Sequence, residues 1–357
     1  MKKLLGLNPE QLGEVAAAVG LRPFAARQMA AWLYQKRVDD IDAMTDLPKK
    51  AREELKKTYT VGREAPKMEA VSADGTAKYL FEGIGGRDIE AVYIPDRERA
   101  TLCVSSQAGC RMGCKFCMTG QGGFQGNLDA GAIMNQILSV PGSENLTNIV
   151  FMGMGEPLLN LKNVMRALES LNNDKGLNFS PRRITVSTCG IVPRMRELAD
   201  KKLQITLALS LHASNQEKRL QLMPVANKYD IKEAVDACRC YFEQTGRRIT
   251  FEYSLVAGVN DTAEDAAELA ELVRGINCHI NLIPVNPIKE RSYRQPDDGA
   301  VHAFQKKLER NGLTVTVRRE MGRDIDGACG QLRRKHMHKE QEMEHTGQET
   351  GHVGQEQ

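Results

Sequence analysis

CRMGCKFC, residues 110–117, decides the reading of this chain: Cys110, Cys114 and Cys117 follow the spacing Cys-x3-Cys-x2-Cys and offer three thiolates. A cubane 4Fe-4S cluster held by three thiolates keeps one iron open to a small molecule, so the motif points to chemistry at the cluster more than to electron storage. A structural zinc is the competing reading. Such sites close all four positions, usually by pairing two Cys-x2-4-Cys knuckles or one knuckle with His-x3-5-His, and neither pairing follows here. Three cysteines that merely pack are the remaining alternative. Phe116, one before the last cysteine, suits a water-shielded cluster and a core equally.

At 357 residues and 41% hydrophobic, the chain can bury a full core and suits one large domain with a smaller appendage. No apolar run of about 18 residues occurs, and MKKLLGLNPEQLGEV reaches polar residues too early for a signal peptide. A cytoplasmic protein with no membrane partner is expected, its nine cysteines being reduced thiols and metal ligands and not a disulfide framework. A net charge of +3 neither demands nor excludes nucleic acid. The local runs Arg182-Arg183, Arg247-Arg248, Arg318-Arg319 and Arg333-Arg334-Lys335 can contact phosphates or simply be solvated surface.

Working outward from the cysteines, residues 99 to about 320 alternate strands with helices, within a core of residues 99–335. ATLCVSS leads into the cysteine loop, and NIVFMGMG, RRITVSTCG, QITLALSLHA, RITFEYSLVAG, HINLIPVNP and LTVTVRRE follow as apolar, β-branched runs. Helical segments such as AGAIMNQIL, KNVMRALESLN and IKEAVDACRCYFEQ lie between them, so the fold class is α/β with a parallel sheet. A closed or partly open barrel puts its working residues at the C-terminal strand ends, where the unusual residues of this region fall. Residues 65–98 read as a short antiparallel β extension, with Asp74-Gly75 and Gly85-Gly86 at its turns. Residues 1–64 form an N-terminal helical accessory domain: Asn8 caps a helix with Pro9 in its first turn and Gly20 beyond its end, Phe24, Met29, Trp32 and Leu33 space a buried face, and LPKKAREELKKTY is a charged third helix. The tail 336–357 is polar, with four histidines, and is expected to be disordered.

CVSSQAGCRMGCKFC, FMGMGEPLLN, ITVSTCGIVP, SLHA, RLQLMP, NLIPVNP and DIDGACGQL occur in the order found in the RlmN family of RNA adenine-carbon-2 methyltransferases, within the radical S-adenosylmethionine superfamily. The resemblance covers nearly the whole chain, including PFAARQMAAWLYQKRVDDIDAMTDLP in the helical module. It implies a partial (βα)6-type radical S-adenosylmethionine barrel holding a 4Fe-4S cluster on Cys110, Cys114 and Cys117. Gly155 and Glu156 would bind the ammonium group of S-adenosylmethionine. Ser187, the Ser210-Leu211-His212 run and Asn286 would contact the rest of that cofactor. By residue chemistry alone, a Gly-Glu after a strand is usually a turn, and strand-end hydroxyls more often cap helices.

Two further cysteines carry the expected reaction. Cys329, between Gly327 and Gly330, resembles the family's methyl-carrying cysteine, Cys103 its resolving partner, and Glu90 the proposed general base. Without the resemblance both cysteines would read as buried small residues, like Cys189, Cys238, Cys240 and Cys278, and Glu90 as a solvent-facing strand residue. Carbon 2 of adenine has no nucleophilic lone pair, so polar methyl transfer from a sulfonium cannot reach it. The resemblance implies that one S-adenosylmethionine methylates Cys329 and a second is cleaved reductively. A methylene radical on Cys329 then adds to adenine, Glu90 removes the carbon-2 proton, and Cys103 attacks Cys329 to release the product and leave a disulfide. The implied partners are 23S rRNA in its peptidyl-transferase region, tRNA beside the anticodon, and a small flavodoxin or ferredoxin type reductant. Two alternatives stay open: a Cfr-like adenine carbon-8 methyltransferase, and a non-methylating iron-sulfur RNA-binding or electron-transfer module.

Overall fold

A computed structural model describes residues 1–285, 293–319 and 321–325; Asn286, Cys329 and the polar tail lie outside the described residues. Ten strands form one open sheet: β1 Met68–Val71, β2 Ala77–Phe81, β3 Ile89–Asp96, β4 Arg99–Cys103, β5 Asn148–Phe151, β6 Ile184–Thr188, β7 Thr206–Ser210, β8 Ile249–Leu255, β9 Cys278–Pro284 and β10 Thr314–Val317. Their order in the sheet is their order in the chain. β1 to β4 pair antiparallel, and β4 to β10 pair parallel. The expected β extension is therefore no separate layer: β3 pairs directly with β4 and continues the barrel sheet. Six strand-helix units, β4 to β9, are followed by a seventh parallel strand, β10.

Parallel strands need helical crossovers, and the sequence supplies them with caps. Helix α4 (Ala130–Ser139) starts on Asp129, α8 (Ile231–Thr245) on an Asp230–Glu233 capping box, α9 (Ala263–Leu272) on a Thr262–Asp265 box and α10 (Asp298–Arg310) on Asp297. Helices α5 (Leu161–Asn172) and α6 (Val192–Asp200) fill the two middle crossovers. Strand register divides the sheet into two unlike faces. Ile149, Val186, Leu207, Phe251 and Ile280 join the helices in the hydrophobic core. The opposite, inner face carries Cys103, Thr185, Ser187, Ser210, Glu252 and Asn281. A closed barrel fills its interior with branched apolar side chains; this open one has a polar lining.

The N-terminal module is built as its sequence indicates. Helix α1 (Pro9–Ala18) has an Asn8–Gln11 capping box, and α3 (Lys49–Thr58) is the charged helix. Helix α2 (Ala25–Ala30) buries Met29, and Leu33 continues its face, but Phe24 is 57% exposed and Trp32 only half-buried. Phe24 stands before the first turn, outside the buried stripe that runs through Ala26, Met29, Ala30 and Leu33. The module is seated on α4: a Cβ on Gly6 would lie 2.2 Å from the Gly131 nitrogen, and one on Gly131 would lie 2.5 Å from the Leu5 carbonyl oxygen. Only glycine at both positions allows that approach. Leu4, Leu12, Met29, Leu33, Met44 and Leu55 of the module belong to the same core as the barrel helices.

Candidate active site

The cysteine loop leaves β4 and is held by a short pairing of Gln107–Gly109 with Phe124–Asn127. Within it Cys110, Cys114 and Cys117 are free and half-buried. The Cys110 N–H donates to the Gly123 carbonyl at 2.9 Å and the Lys115 N–H to the Leu222 carbonyl at 2.9 Å, tying the loop to α7 (Gln216–Leu222). Phe116 meets the His212 ring edge-on with centroids 4.7 Å apart. Burial pushes the Cys110 thiol up to about 11 and the Cys114 thiol higher still, with Cys117 and Glu156 adding to both. Neighbouring thiolates of this kind are costly unless a cation compensates them, and a cationic iron-sulfur core does so. Zinc draws its ligands onto one centre, whereas each thiolate of a cubane binds a different iron. Three thiolates on one loop, with no fourth ligand in the motif, are the donor set of a cubane that keeps one iron open.

The second wall is the turn after β5. Gly155 has φ +102°, and a Cβ there would come within 2.5 Å of the Gln107 Cβ and 2.8 Å of its backbone nitrogen. That close approach lets Gln107 Oε1 accept the Glu156 N–H at 2.9 Å. The buried Glu156 carboxylate accepts the N–H groups of Leu158 at 3.0 Å and Cys189 at 2.8 Å. Burial raises its pKa, and those two bonds, with the Thr188 and Cys189 side chains, work against the rise. This structural work of Glu156 is something the sequence did not reveal.

Ser187 Oγ and Ser210 Oγ stand 3.5 Å apart on adjacent strand ends. Leu211 turns its side chain into the core and donates its N–H to the Glu252 carbonyl at 3.0 Å, leaving its own carbonyl as its polar contribution. His212 adopts φ +55°, a conformation that non-glycine residues adopt mainly where the surroundings impose it. Its Nδ1 accepts the Ser254 N–H at 2.8 Å, which assigns the proton to Nε2. Burial, with the Arg219 charge behind it, holds the His212 pKa down to about 3.

Glu90 and Cys103 meet on the inner face. Lys78, Val92 and Cys103 are directly opposed across β2, β3 and β4, and Glu90 precedes Val92 by two residues, so all four side chains share that face. Lys78 Nζ lies 3.4 Å from Glu90 Oε2, with side-chain exposures of 0% and 1%. Glu90 is therefore buried and paired, not solvent-facing as strand glutamates usually are. Burial pushes the Cys103 thiol up to about 11, opposed by the charges of Arg318 and Lys78 and by the Met152 N–H. Lys78 carries no sequence signal: spacing cannot distinguish it from a solvated strand lysine. Of the other cysteines, Cys189, Cys238 and Cys278 are buried as expected, while Cys240 is half-exposed on α8. The pairs Arg182-Arg183 and Arg247-Arg248 sit before β6 and β8, at the strand ends opposite the cysteine loop.

Asn286 and Cys329 lie outside the described residues. The chain leading toward Cys329 is nonetheless anchored: the Gly322 N–H donates to Asp74 at 2.8 Å, and Asp324 accepts the Ala73 N–H at 3.1 Å and the Ser72 hydroxyl. The segment after the last strand is thus clasped to the turn between β1 and β2, at the far edge of the sheet.

Residues 104–273 match the Radical SAM superfamily, and residues 2–61 match the Ribosomal RNA large subunit methyltransferase N-terminal domain. Proteins described as probable dual-specificity RNA methyltransferase RlmN are similar along nearly their whole length. That of Lachnospira eligens is 51% identical, covering 94% of this chain and 97% of the relative. That of Geobacillus kaustophilus is 44% identical, covering 94% and 93%. A crystal structure of a radical SAM methyltransferase from Sphaerobacter thermophilus superposes with a TM-score of 0.88 at 43% identity, covering 93% of this chain and 99% of that one.

Proposed function

This chain belongs to the RlmN family of radical S-adenosylmethionine RNA methyltransferases, and on that premise we propose that it methylates carbon 2 of adenosine in the peptidyl-transferase region of 23S rRNA and beside the anticodon of tRNA, through a methylated Cys329. Cys110, Cys114 and Cys117 hold the 4Fe-4S cluster, and Gly155, Glu156, Ser187, Ser210, Leu211, His212 and Asn286 hold S-adenosylmethionine. When bound, these groups supply a methyl group and one-electron cleavage chemistry, two cofactor molecules being consumed per methylation with electrons from a flavodoxin or ferredoxin type protein. Residues 1–64 act as the RNA adaptor, 65–98 as the extension bearing Glu90, and 99–335 as the core with its catalytic C-terminal loop.

The observation that carries this reading is the shared inner face of Lys78, Glu90 and Cys103 at the first barrel strand. As a base Glu90 accepts the proton on a carboxylate oxygen, and the Lys78 Nζ 3.4 Å away fixes that carboxylate on the inner face. Glu90 takes the proton from carbon 2. Cys103, whose thiol burial holds at about 11 against the opposing charges of Arg318 and Lys78, gives up its proton and attacks the Cys329 sulfur: a sulfur-sulfur bond forms, the sulfur-carbon bond to the RNA breaks with its electron pair on the former methylene carbon, which takes up a proton to become the methyl group, and the disulfide is then reduced by two electrons. Among the described residues no helix is long and apolar enough to cross a membrane.

Mass analysis of the modified nucleoside distinguishes carbon 2, carbon 8 and no reaction. Denaturing gels after turnover test the cysteine roles. Cys103→Ala should accumulate a covalent protein-RNA species linked through Cys329, and Cys329→Ala should give none. Normal multiple turnover with Cys103→Ala, or an adduct with Cys329→Ala, overturns the assignment.

A further inference from the structure

The motif RLQLMP, residues 219–224, has no part in the steps above, yet it contains a fully buried guanidinium, Arg219 on α7. Nη2 donates to the Cys189 carbonyl at 2.7 Å. Nε and Nη1 are buried and have no hydrogen-bond partner among the described residues. Taking a charged group out of water and leaving its donors unmet is costly, so an arginine in this position normally comes with a carboxylate. Here the groups that face it are mainly cysteine sulfurs, and burial pushes the Cys189, Cys114 and Cys238 thiols up. Burial pulls the Arg219 pKa down, and Cys189, Cys114 and Cys238, in that order, oppose the fall ahead of Asp230.

The same helix fixes the cysteine loop, through Leu222 to Lys115 at 2.9 Å. Arg219 lies one turn before Leu222 on that helix, and its guanidinium reaches the carbonyl of Cys189, the residue whose N–H holds the Glu156 carboxylate. A cluster held by three thiolates is net anionic and gains one more negative charge on reduction; net charge and hydrogen bonds to its sulfurs set its potential. We propose that Arg219 is the buried counter-cation of the 4Fe-4S cluster, a positioning residue that raises its reduction potential and so eases uptake of the electron needed for cofactor cleavage. The proposal rests on the reading of Cys110, Cys114 and Cys117 as the cluster ligands.

The test uses full-length wild type and the variants Arg219→Lys, Arg219→Gln and Arg219→Met, reconstituted anaerobically. Each is assayed for iron and sulfide, then titrated potentiometrically with dithionite under EPR, with and without S-adenosylmethionine. Both uncharged variants should lower the equilibrium constant for reduction at least about tenfold, 59 mV for a one-electron couple, already without the cofactor, while Arg219→Lys stays within about threefold of wild type. Arg219→Gln retains a donor for the Cys189 carbonyl, which separates charge from anchoring. Equal potentials in all four proteins, equal shifts in the lysine and methionine variants, or a shift seen only with cofactor bound would each overturn the proposal. Loss of iron from the uncharged variants alone upholds the need for charge, whereas loss from Arg219→Lys as well makes Arg219 a mere anchor. Wild type lacking iron and sulfide defeats the cluster reading itself, and the proposal with it.

Discussion

Replacing Lys78 by Met should be among the most damaging single changes in the barrel, and its cost can be worked from the geometry. At 3.4 Å and an effective dielectric constant of about 20, two unit charges attract by about 5 kcal/mol. Breaking a buried pair by removing one partner typically costs about 3–5 kcal/mol, because the remaining charge is stranded. Lys78→Met should therefore lose about that much stability, read as a shift of the urea midpoint at unchanged slope by circular dichroism of the apoprotein. The companion Lys78→Met/Glu90→Leu variant should recover most of it, ending within about 1 kcal/mol of wild type, since Leu80 and Val92 on the same face are buried and apolar. The double variant would be folded yet inactive, separating the part played by Glu90 in proton transfer from its part in the fold. A cost under about 1 kcal/mol for Lys78→Met, or additive losses in the double variant, would refute a coupled buried pair.

Gly155→Ala should weaken S-adenosylmethionine binding at least about tenfold, because φ +102° and the Gln107 backbone 2.8 Å away impose about 1–3 kcal/mol of strain; isothermal titration of the reconstituted protein measures it. The His212 pKa is held at about 3 against an ordinary 6.5, so the unfolded chain takes up the proton first. The contribution of His212 to stability is complete above pH 6.5 and falls by about 1.4 kcal/mol per pH unit below it, down to about pH 3, and His212→Gln should remove that slope from denaturation curves between pH 7 and 5. Asp74 is held at about 2 by the N–H groups of Gly322 and Thr76. Its folded value lies below the ordinary 3.8, so the clasp is intact above that pH and is lost as pH falls through about 2. Asp74→Asn should speed hydrogen exchange at Gly322 at neutral pH with little change in the unfolding midpoint. Cys114→Ala should abolish cluster assembly, checked by iron and sulfide content after anaerobic reconstitution.

Much of the architecture was legible because it rests on local signals. The capping box at Asn8, the β-branched runs and the apolar helix faces state their own structure, and the cysteine spacing states its own chemistry. What stayed hidden depends on register and long-range contact. Nothing adjacent to Lys78 in sequence indicates that β2 lies two strands from Cys103, nor that Glu90 is buried. Phe24 looked like part of a core face, but the helix begins one residue later and leaves it exposed. The seating of the N-terminal helices on α4 turns on two glycines about 125 residues apart. Arg219 could be seen in its motif but not its burial, because the Cys189 carbonyl that it meets comes from the loop after β6, 30 residues away.

The clasp between the segment after β10 and the turn after β1 joins residues 252 positions apart, in a sheet whose spatial order otherwise repeats the chain order. Strands added one after another need only short-range closure, so the barrel can assemble progressively as the chain is synthesised. The clasp is the exception, since it joins the oldest edge of the sheet to its newest end. Cys329 lies just beyond that junction, so a nascent or truncated chain can own a finished barrel and still lack methyltransferase capacity. Competence would then arrive in one late step, when the last-made stretch reports back to the first.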